Sequence, residues 1–170
     1  MEPTLQRGDR LAEMPLFGSG SIQRGTLVAF HPPYDQALSN VARVVALPGD
    51  HVQVLGGRLV LNGKPVYEPY IRKSSKGNGV DFPSAAEPLM NAEIGRLQNI
   101  MYGEMVANDM LTVPENDYFV LGDNRGDSVD SRIYGPVSRY AVIARPFYVY
   151  ATHSATSRPH FLISPQLETH

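Results

Sequence analysis

Short apolar runs, cut by glycine and proline, set the rhythm of this chain. Residues 26–30 (Thr-Leu-Val-Ala-Phe) form a β-rich run that ends against Pro32 and Pro33, which predicts a strand. The next strand is predicted at 41–47. Pro48 and Gly49 close it, in the order that a type II turn takes at its two central positions. Residues 52–55 and 58–61 then flank Gly56-Gly57, and Asn62-Gly63 leads on into 64–67. Both dipeptides tolerate positive φ at the two turn positions, so the spacing predicts two tight hairpins and an antiparallel meander. Nearer the start, Gly8 and Asp9 turn the chain into a strand at 10–14, and Gly18, Ser19, Gly20 and Ser21 read as a flexible connector.

The pattern changes from about residue 72 to 111. Residues 73–79 read as a loop. Leu89, Met90, Ile94, Leu97, Ile100 and Met101 then recur near helical spacing, which predicts a helix within 87–106 inserted between two β halves. A methionine-bearing face of this kind is expected to pack rather than to bind. The β pattern resumes at Asp117 and includes 141–144 and 146–150. Beyond 152 the periodicity fades, so 153–170 are expected to be peripheral or disordered. The predicted fold is mostly β: an antiparallel sheet domain over 1–152, with a helix-containing insertion at about 72–111.

Composition narrows the function. A chain of 170 residues suits one domain with a real core, and its 14 prolines, 15 glycines and nine tyrosines favour short strands and turns. A net charge of −2 offers no surface for nucleic acid. The absence of cysteine excludes disulfides, thiol catalysis and cysteine metal sites. No window approaches the roughly 20 apolar residues that cross a bilayer. Met1 runs straight into Glu2 and Pro3, so no signal peptide is expected at this start.

Candidate chemistry concentrates at 118–136, YFVLGDNRGDSVDSRIYGP. The apolar Tyr118, Phe119, Val120 and Leu121 predict a buried strand, and Gly122, Asp123 and Asn124 suit a tight turn. Arg125, Asp127, Ser128, Asp130, Ser131 and Arg132 then crowd together. The order Gly-Asp-Asn-Arg, Ser-x-Asp-Ser-Arg, Tyr-Gly-Pro resembles the most distinctive box of the type I signal peptidases, membrane-anchored serine–lysine endopeptidases that remove signal peptides. Two further stretches resemble boxes of the same family: Met1-Glu2-Pro3-Thr4-Leu5 with Gly8-Asp9, and Arg43-Val44-Val45-Ala46-Leu47-Pro48-Gly49-Asp50. The first resembles the segment directly after the nucleophilic serine, and the second the segment directly after the general-base lysine.

The resemblance implies a β-rich fold and an extended substrate held as an added strand, with small side chains preferred at an A-x-A-like site. It implies groove residues at Met1, Pro3, Leu38, Ser39, Asn40 and Val41. Ser128 matches the serine that orients the lysine amine, Asp130 and Arg132 match the pair that braces its loop, and Asp123 and Asn124 belong to the same support. The serine itself would precede Met1, and the lysine position holds Ala42. A serine needs a base to become nucleophilic, and an alanine cannot supply one. The expectation is therefore a signal peptidase-like domain that does not cleave. The alternative is a natural non-catalytic relative that binds exported or pilin-like proteins or assists their assembly. The partners implied are exported preproteins or their signal peptides, and a membrane surface reached through an anchor ahead of Met1. The implied location is the extracytoplasmic face of a bacterial cytoplasmic membrane.

Other readings fail on the residues. Arg43 remains charged at any relevant pH and, in a strand, points away from the face of residue 42. His31 lies at a strand end before two prolines, in another part of the pattern. Ser128 and Ser131 have no base candidate beside them in the motif. Arg125 stands where a calcium loop begun at Asp123 needs an oxygen ligand, and the tripeptide Arg125-Gly126-Asp127 is too short to mean adhesion. The five histidines have no metal-ligand spacing, and no cofactor is expected.

Overall fold

The structure, a computed structural model, describes residues 1–16, 22–71, 81–83, 92–152, 159–165 and 167. In chain order the first strands are β1 (Arg10–Pro15), β2 (Leu27–Phe30), β3 (Asn40–Ala46), β4 (His51–Leu55), β5 (Arg58–Leu61) and β6 (Lys64–Pro65). Helix α1 (Ala92–Ile100) runs into a π-helical turn, Met101–Met105, and β7 (Val106–Ala107), β8 (Met110–Thr112) and β9 (Asp117–Leu121) follow. The one-turn helix α2 (Ser131–Tyr134), β10 (Val137–Ser138), β11 (Val142–Ala151) and β12 (His160–Phe161) complete the order. One sheet has the order β1-β11-β2-β3-β9-β10, with β12 also paired to β11; the other has the order β6-β5-β4-β8-β7. All of these pairings are antiparallel. The fold is therefore mostly β.

Both hairpins close as their turn residues dictate. Gly56 and Gly57 have φ of 56° and 74°, and Asn62 and Gly63 have 53° and 78°, the left-handed pair that a two-residue turn needs to match strand twist. The central strand β3 divides the interior. Ala42 and Val44 face one core with Val28, Phe30, Val120, Tyr134 and Val137, while Val45 and Ala46 join the other with Val54, Leu61, Phe82, Phe119 and Leu121. A register shift between Val44 and Ala46 turns two consecutive residues to the same side. Strand β9 alternates in the same sense, Val120 to one core and Phe119 and Leu121 to the other.

Several expectations change in detail. The strand predicted at 10–14 continues to Pro15. The runs at 141–144 and 146–150 are one strand, β11, which passes through Pro146. This is tolerated because Pro146 falls between the part of β11 paired with β2 and the part paired with β12, and opposite a register shift in β1. The helix predicted within 87–106 occupies Ala92–Ile100, and Met101 fills the core as expected. The end of the expected insertion is woven into the smaller sheet, where β8 pairs β4 and Phe82 bridges Val54. Among the residues expected to be peripheral or disordered, His160 and Phe161 pair with Val149 and Tyr148, and Leu167 packs on the core of the smaller sheet. The connector predicted at Gly18, Ser19, Gly20 and Ser21, the loop at 73–79, and Leu89 and Met90 lie outside the described residues.

Candidate functional site

The site forms where β9 stops pairing. Strand β9 follows β3 from Ala46 back to Arg43, opposite Leu121, and then Gly122 begins a loop. Residues 40–42 consequently pair with β2 alone among the described residues, through Phe30, Ala29 and Val28. Facing this open edge, the loop from Gly122 to Asp130 is folded back by its own polar groups. The Gly122 N–H donates to Asp130 Oδ2 at 3.0 Å. Arg132 donates to the same carboxylate through Nε at 2.8 Å, Nη2 at 2.8 Å and its backbone N–H at 3.2 Å. The last of these bonds makes Asp130 the N-cap of α2, which is why a helix of one turn starts there. Arg132 also reaches the Arg125 carbonyl, and Arg125 Nε reaches the Gly122 carbonyl. Ser128 Oγ donates to the Asn124 carbonyl at 2.7 Å, and the Val120 N–H donates to Ser131 Oγ.

On the other face of β3 a second set of buried charges locks the loop to the sheet. Arg43 grips Asp123 with two bonds, Nε to Oδ1 at 2.9 Å and Nη2 to Oδ2 at 2.7 Å, and donates a third to the Gly25 carbonyl. Side-chain exposure is 1% for Arg43 and 0% for Asp123, so this is a fully desolvated pair with bidentate geometry. The Tyr70 ring lies 4.0 Å from the Arg43 guanidinium, and the Thr4 hydroxyl donates to Asp123 Oδ2. A parallel pair, Glu68 with Arg125, is also buried, and the Tyr70 hydroxyl donates to Glu68 at 2.6 Å. Burial, followed by the charge of Glu68, pushes the Tyr70 hydroxyl far above its ordinary value, so it stays a donor.

Between the open edge and the loop lies a cavity of about 320 Å³. Asn40, Val41 and Ala42 line it from β3, and Gly122, Ser128, Val129 and Asp130 from the loop. Met1, Phe30, Tyr34 and Tyr134 close the remaining sides. The Tyr134 hydroxyl is buried with no hydrogen-bond partner among the described residues, and burial, followed by the Asp130 charge, raises its pKa well above the usual value. Elsewhere, Asp50 accepts from Arg24, Asn62 and the Leu47 N–H. Burial alone would raise its pKa, but these bonds and the Arg24 charge hold it below the ordinary carboxylate range.

The family model described as signal peptidase, peptidase S26, matches residues 1–151. The chain belongs to the signal peptidase family. Its relatives include a signal peptidase I from Rickettsia massiliae, 30% identical over 65% of this chain and 44% of that protein. A probable signal peptidase I-2 from Synechocystis is 34% identical over 86% of this chain and 57% of its own length, and signal peptidase IB from Staphylococcus aureus is 31% identical over 85% and 70%. The crystal structure of a signal peptidase I from Enterococcus faecalis is similar with a TM-score of 0.51 and 30% identity, covering 72% of this chain and 94% of that one. The chain spans less than half the length of the Rickettsia relative.

For this signal peptidase-family chain, the structure brings Ala42, Met1, Asn40, Val41, Ser128 and Asp130 to one cavity. Arg132 braces it from behind, and Asn124 contributes its backbone carbonyl. Asp123 sits on the far face of β3 with Arg43, as strand alternation requires. Pro3, Leu38 and Ser39 are exposed and do not line this cavity. His31 donates to, or accepts through, no group there: its Nδ1 pairs with the Leu38 carbonyl, beside a different cleft. Sequence reasoning missed Thr4, Glu68, Tyr70 and Tyr134. The run Glu68-Pro69-Tyr70, polar groups just past a meander, was the available signal for two of them.

Gly122 shows how tightly the loop is drawn in. A Cβ at this position would stand 2.0 Å from Ser128 Oγ and 2.6 Å from Ser128 Cβ. Gly122→Ala is expected to displace the Ser128 backbone, at a cost of about 1–3 kcal/mol. Urea unfolding measures the loss, and an unchanged midpoint would mean that the loop yields freely.

Proposed function

We propose that this domain captures an extended segment of exported preproteins, at or beside the signal peptide, along the open edge of β3 and does not cut it. The arrangement at residue 42 carries this reading. Among the described residues the backbone of 40–42 has a strand on one side only, and the side chain that residue 42 brings to the cavity is a methyl group. A free strand edge next to a side-chain pocket suits β-augmentation, in which main-chain bonds supply affinity and the pocket supplies selectivity. Proton abstraction from a serine needs a base within hydrogen-bond reach. No lysine or histidine is among the described residues that line the cavity, and Asp130 is committed to Arg132 and Gly122. By resemblance, Ala42 occupies the lysine position. The working location in this reading is the extracytoplasmic face of a bacterial cytoplasmic membrane; among the described residues no helix is long and apolar enough to cross one.

The second reading is removal of the signal peptide by the same groove. Family membership supports it, as does the intact Ser128, Asp130 and Arg132 loop. Incubation with a preprotein bearing an A-x-A site separates the two. Saturable binding with no more processing than buffer alone is the expected result. Site-specific cleavage would establish the second reading, and failure to bind would remove the first.

A further inference from the structure

We propose that the short side chain of Ala42 gives the groove room for one large apolar side chain, that of leucine, methionine or phenylalanine, from the captured segment. The inference rests on the reading of the β3 edge as a peptide-capturing groove and names what that groove prefers. It departs from the small side chains that the family resemblance implies. Strand geometry supplies the starting point. A segment paired along residues 40–42 would set the side chain opposite Ala42 on the same face as the Ala42 methyl, with Cβ atoms about 4.5–5.5 Å apart. That face belongs to the cavity. Ala42 shares one buried cluster with Phe30 and Tyr134, and all three residues line the same partly open space.

Size and wall chemistry select the occupant together. A cavity of about 150 Å³ holds a benzene ring, so one of 320 Å³ takes a leucine, methionine or phenylalanine side chain with space to spare. An alanine methyl would leave most of it to water. Met1, Val41 and Val129 add apolar residues to the lining, beside Tyr34 and Tyr134, whose ring centroids lie 5.4 Å apart. The polar groups of the lining residues are already bonded within the protein. Ser128 Oγ donates to the Asn124 carbonyl and Asn40 Nδ2 to the Tyr34 hydroxyl. Asp130 accepts from Gly122 and from three N–H groups of Arg132. Four bonds fill the lone-pair sites of that carboxylate, so an entering ammonium finds no free counter-charge and an entering carboxylate meets a like charge. The Tyr134 hydroxyl is closed off from solvent and takes no part. The favourable exchange that remains is apolar surface in place of loosely held water. Residue 42 sets the limit, because each carbon added to its side chain on this face takes space that an occupant would fill.

The test uses the whole chain and a set of extended peptides, identical except at one position, which is occupied by alanine, leucine, phenylalanine, asparagine or lysine. Moving that position along the peptide finds the residue that enters the cavity. Binding is read by fluorescence anisotropy. At one position, or at two positions a strand repeat apart, leucine is expected to bind about 10-fold tighter than alanine, the scale of a few carbons buried in a partly open pocket. Phenylalanine should gain as well. Asparagine, close to leucine in shape, should gain little, and lysine nothing. In Ala42→Leu the leucine-to-alanine ratio should fall to about one, because the new side chain occupies the room. Should that variant fail to fold, Ala42→Val takes less of the space and is expected to bring the ratio clearly below its parental value. An alanine preference in the parent chain, an equal gain from leucine at every position, or a parental ratio in the residue-42 variants would overturn the inference while leaving the groove intact. Absence of binding by any peptide would overturn the groove and the inference together.

Discussion

A lysine at position 42, in a chain that carries a serine directly before Met1, is expected to create endopeptidase activity that neither change produces alone. The geometry that motivates this is the cavity. Met1 and Ala42 both line it, so a serine next to the first and an amine on the second would open onto one space. The Ala42 side chain belongs to the core formed by Val28, Phe30, Val44 and Tyr134. An amine extended from that core is partly desolvated, which lowers a lysine from its usual pKa of about 10.4. Ser128 Oγ, held by the Asn124 carbonyl, stands in the wall to orient it. The neutral amine is the base, so activity should rise with pH through the lowered pKa and level off above it. Nucleophile and base act as a unit, and the double variant should exceed either single one by roughly 10²–10⁴-fold. Four chains, the parent, each single change and the double, are assayed with detergent on one preprotein from about pH 6 to 10, the range that brackets a depressed lysine. Equal rates for the serine-only and double chains would mean that another group serves as base. A folded but inactive double chain would favour capture as the groove's work.

Asp130→Ala is expected to be the most destabilising substitution in the loop. Its carboxylate is 98% removed from solvent, by a side-chain exposure of 2%, and Arg132 opposite it is exposed by 4%. Truncation strands that guanidinium, leaving it the Arg125 carbonyl, and frees the Gly122 N–H at the point where β9 ends. It also removes the cap of α2, the helix that carries Tyr134 into the cavity wall. Removing one partner of a buried pair costs about 3–5 kcal/mol, whereas an exposed pair of the same residues would be worth about 0–1 kcal/mol. Burial therefore decides the size of the effect. Asp130→Asn, which keeps the shape and some of the acceptors, should lose less. Urea midpoints at constant slope measure both, and a shift under about 1 kcal/mol for Asp130→Ala would mean that Arg132 escapes to solvent.

Much of the fold is written locally. Gly56-Gly57 and Asn62-Gly63 impose their hairpins through backbone conformations that few other residues adopt, and they act within four residues of chain. Alternation in β3 puts Ala42 and Arg43 on opposite faces, a consequence of strand geometry alone. The order of residues from Gly122 to Arg132 identifies the loop because its bonds, such as Asp130 to Arg132 and Ser128 to Asn124, close over a few residues. What the local pattern could not carry was partnership at a distance. Arg43 meets Asp123 across 80 residues, Arg125 meets Glu68 across 57 and Thr4 meets Asp123 across 119. A charged residue has no periodicity that names its partner, so only the packed sheets could decide that these groups are paired, buried and structural. The same holds for β11 and β12. Pro146 reads as a strand break by its missing donor, and only the arrangement of neighbours leaves a gap in the pairing where that donor is not needed. Tyr134 lies last in this series: nothing in its local pattern marks it, and the tertiary fold buries it against Val28, Phe30 and Val120. Sequence alone settled the strands, the turns and the family of the loop, because those depend on backbone preference and short-range bonds. The cavity and the charge pairs behind it arise from contacts between distant segments, and only the tertiary structure decided them.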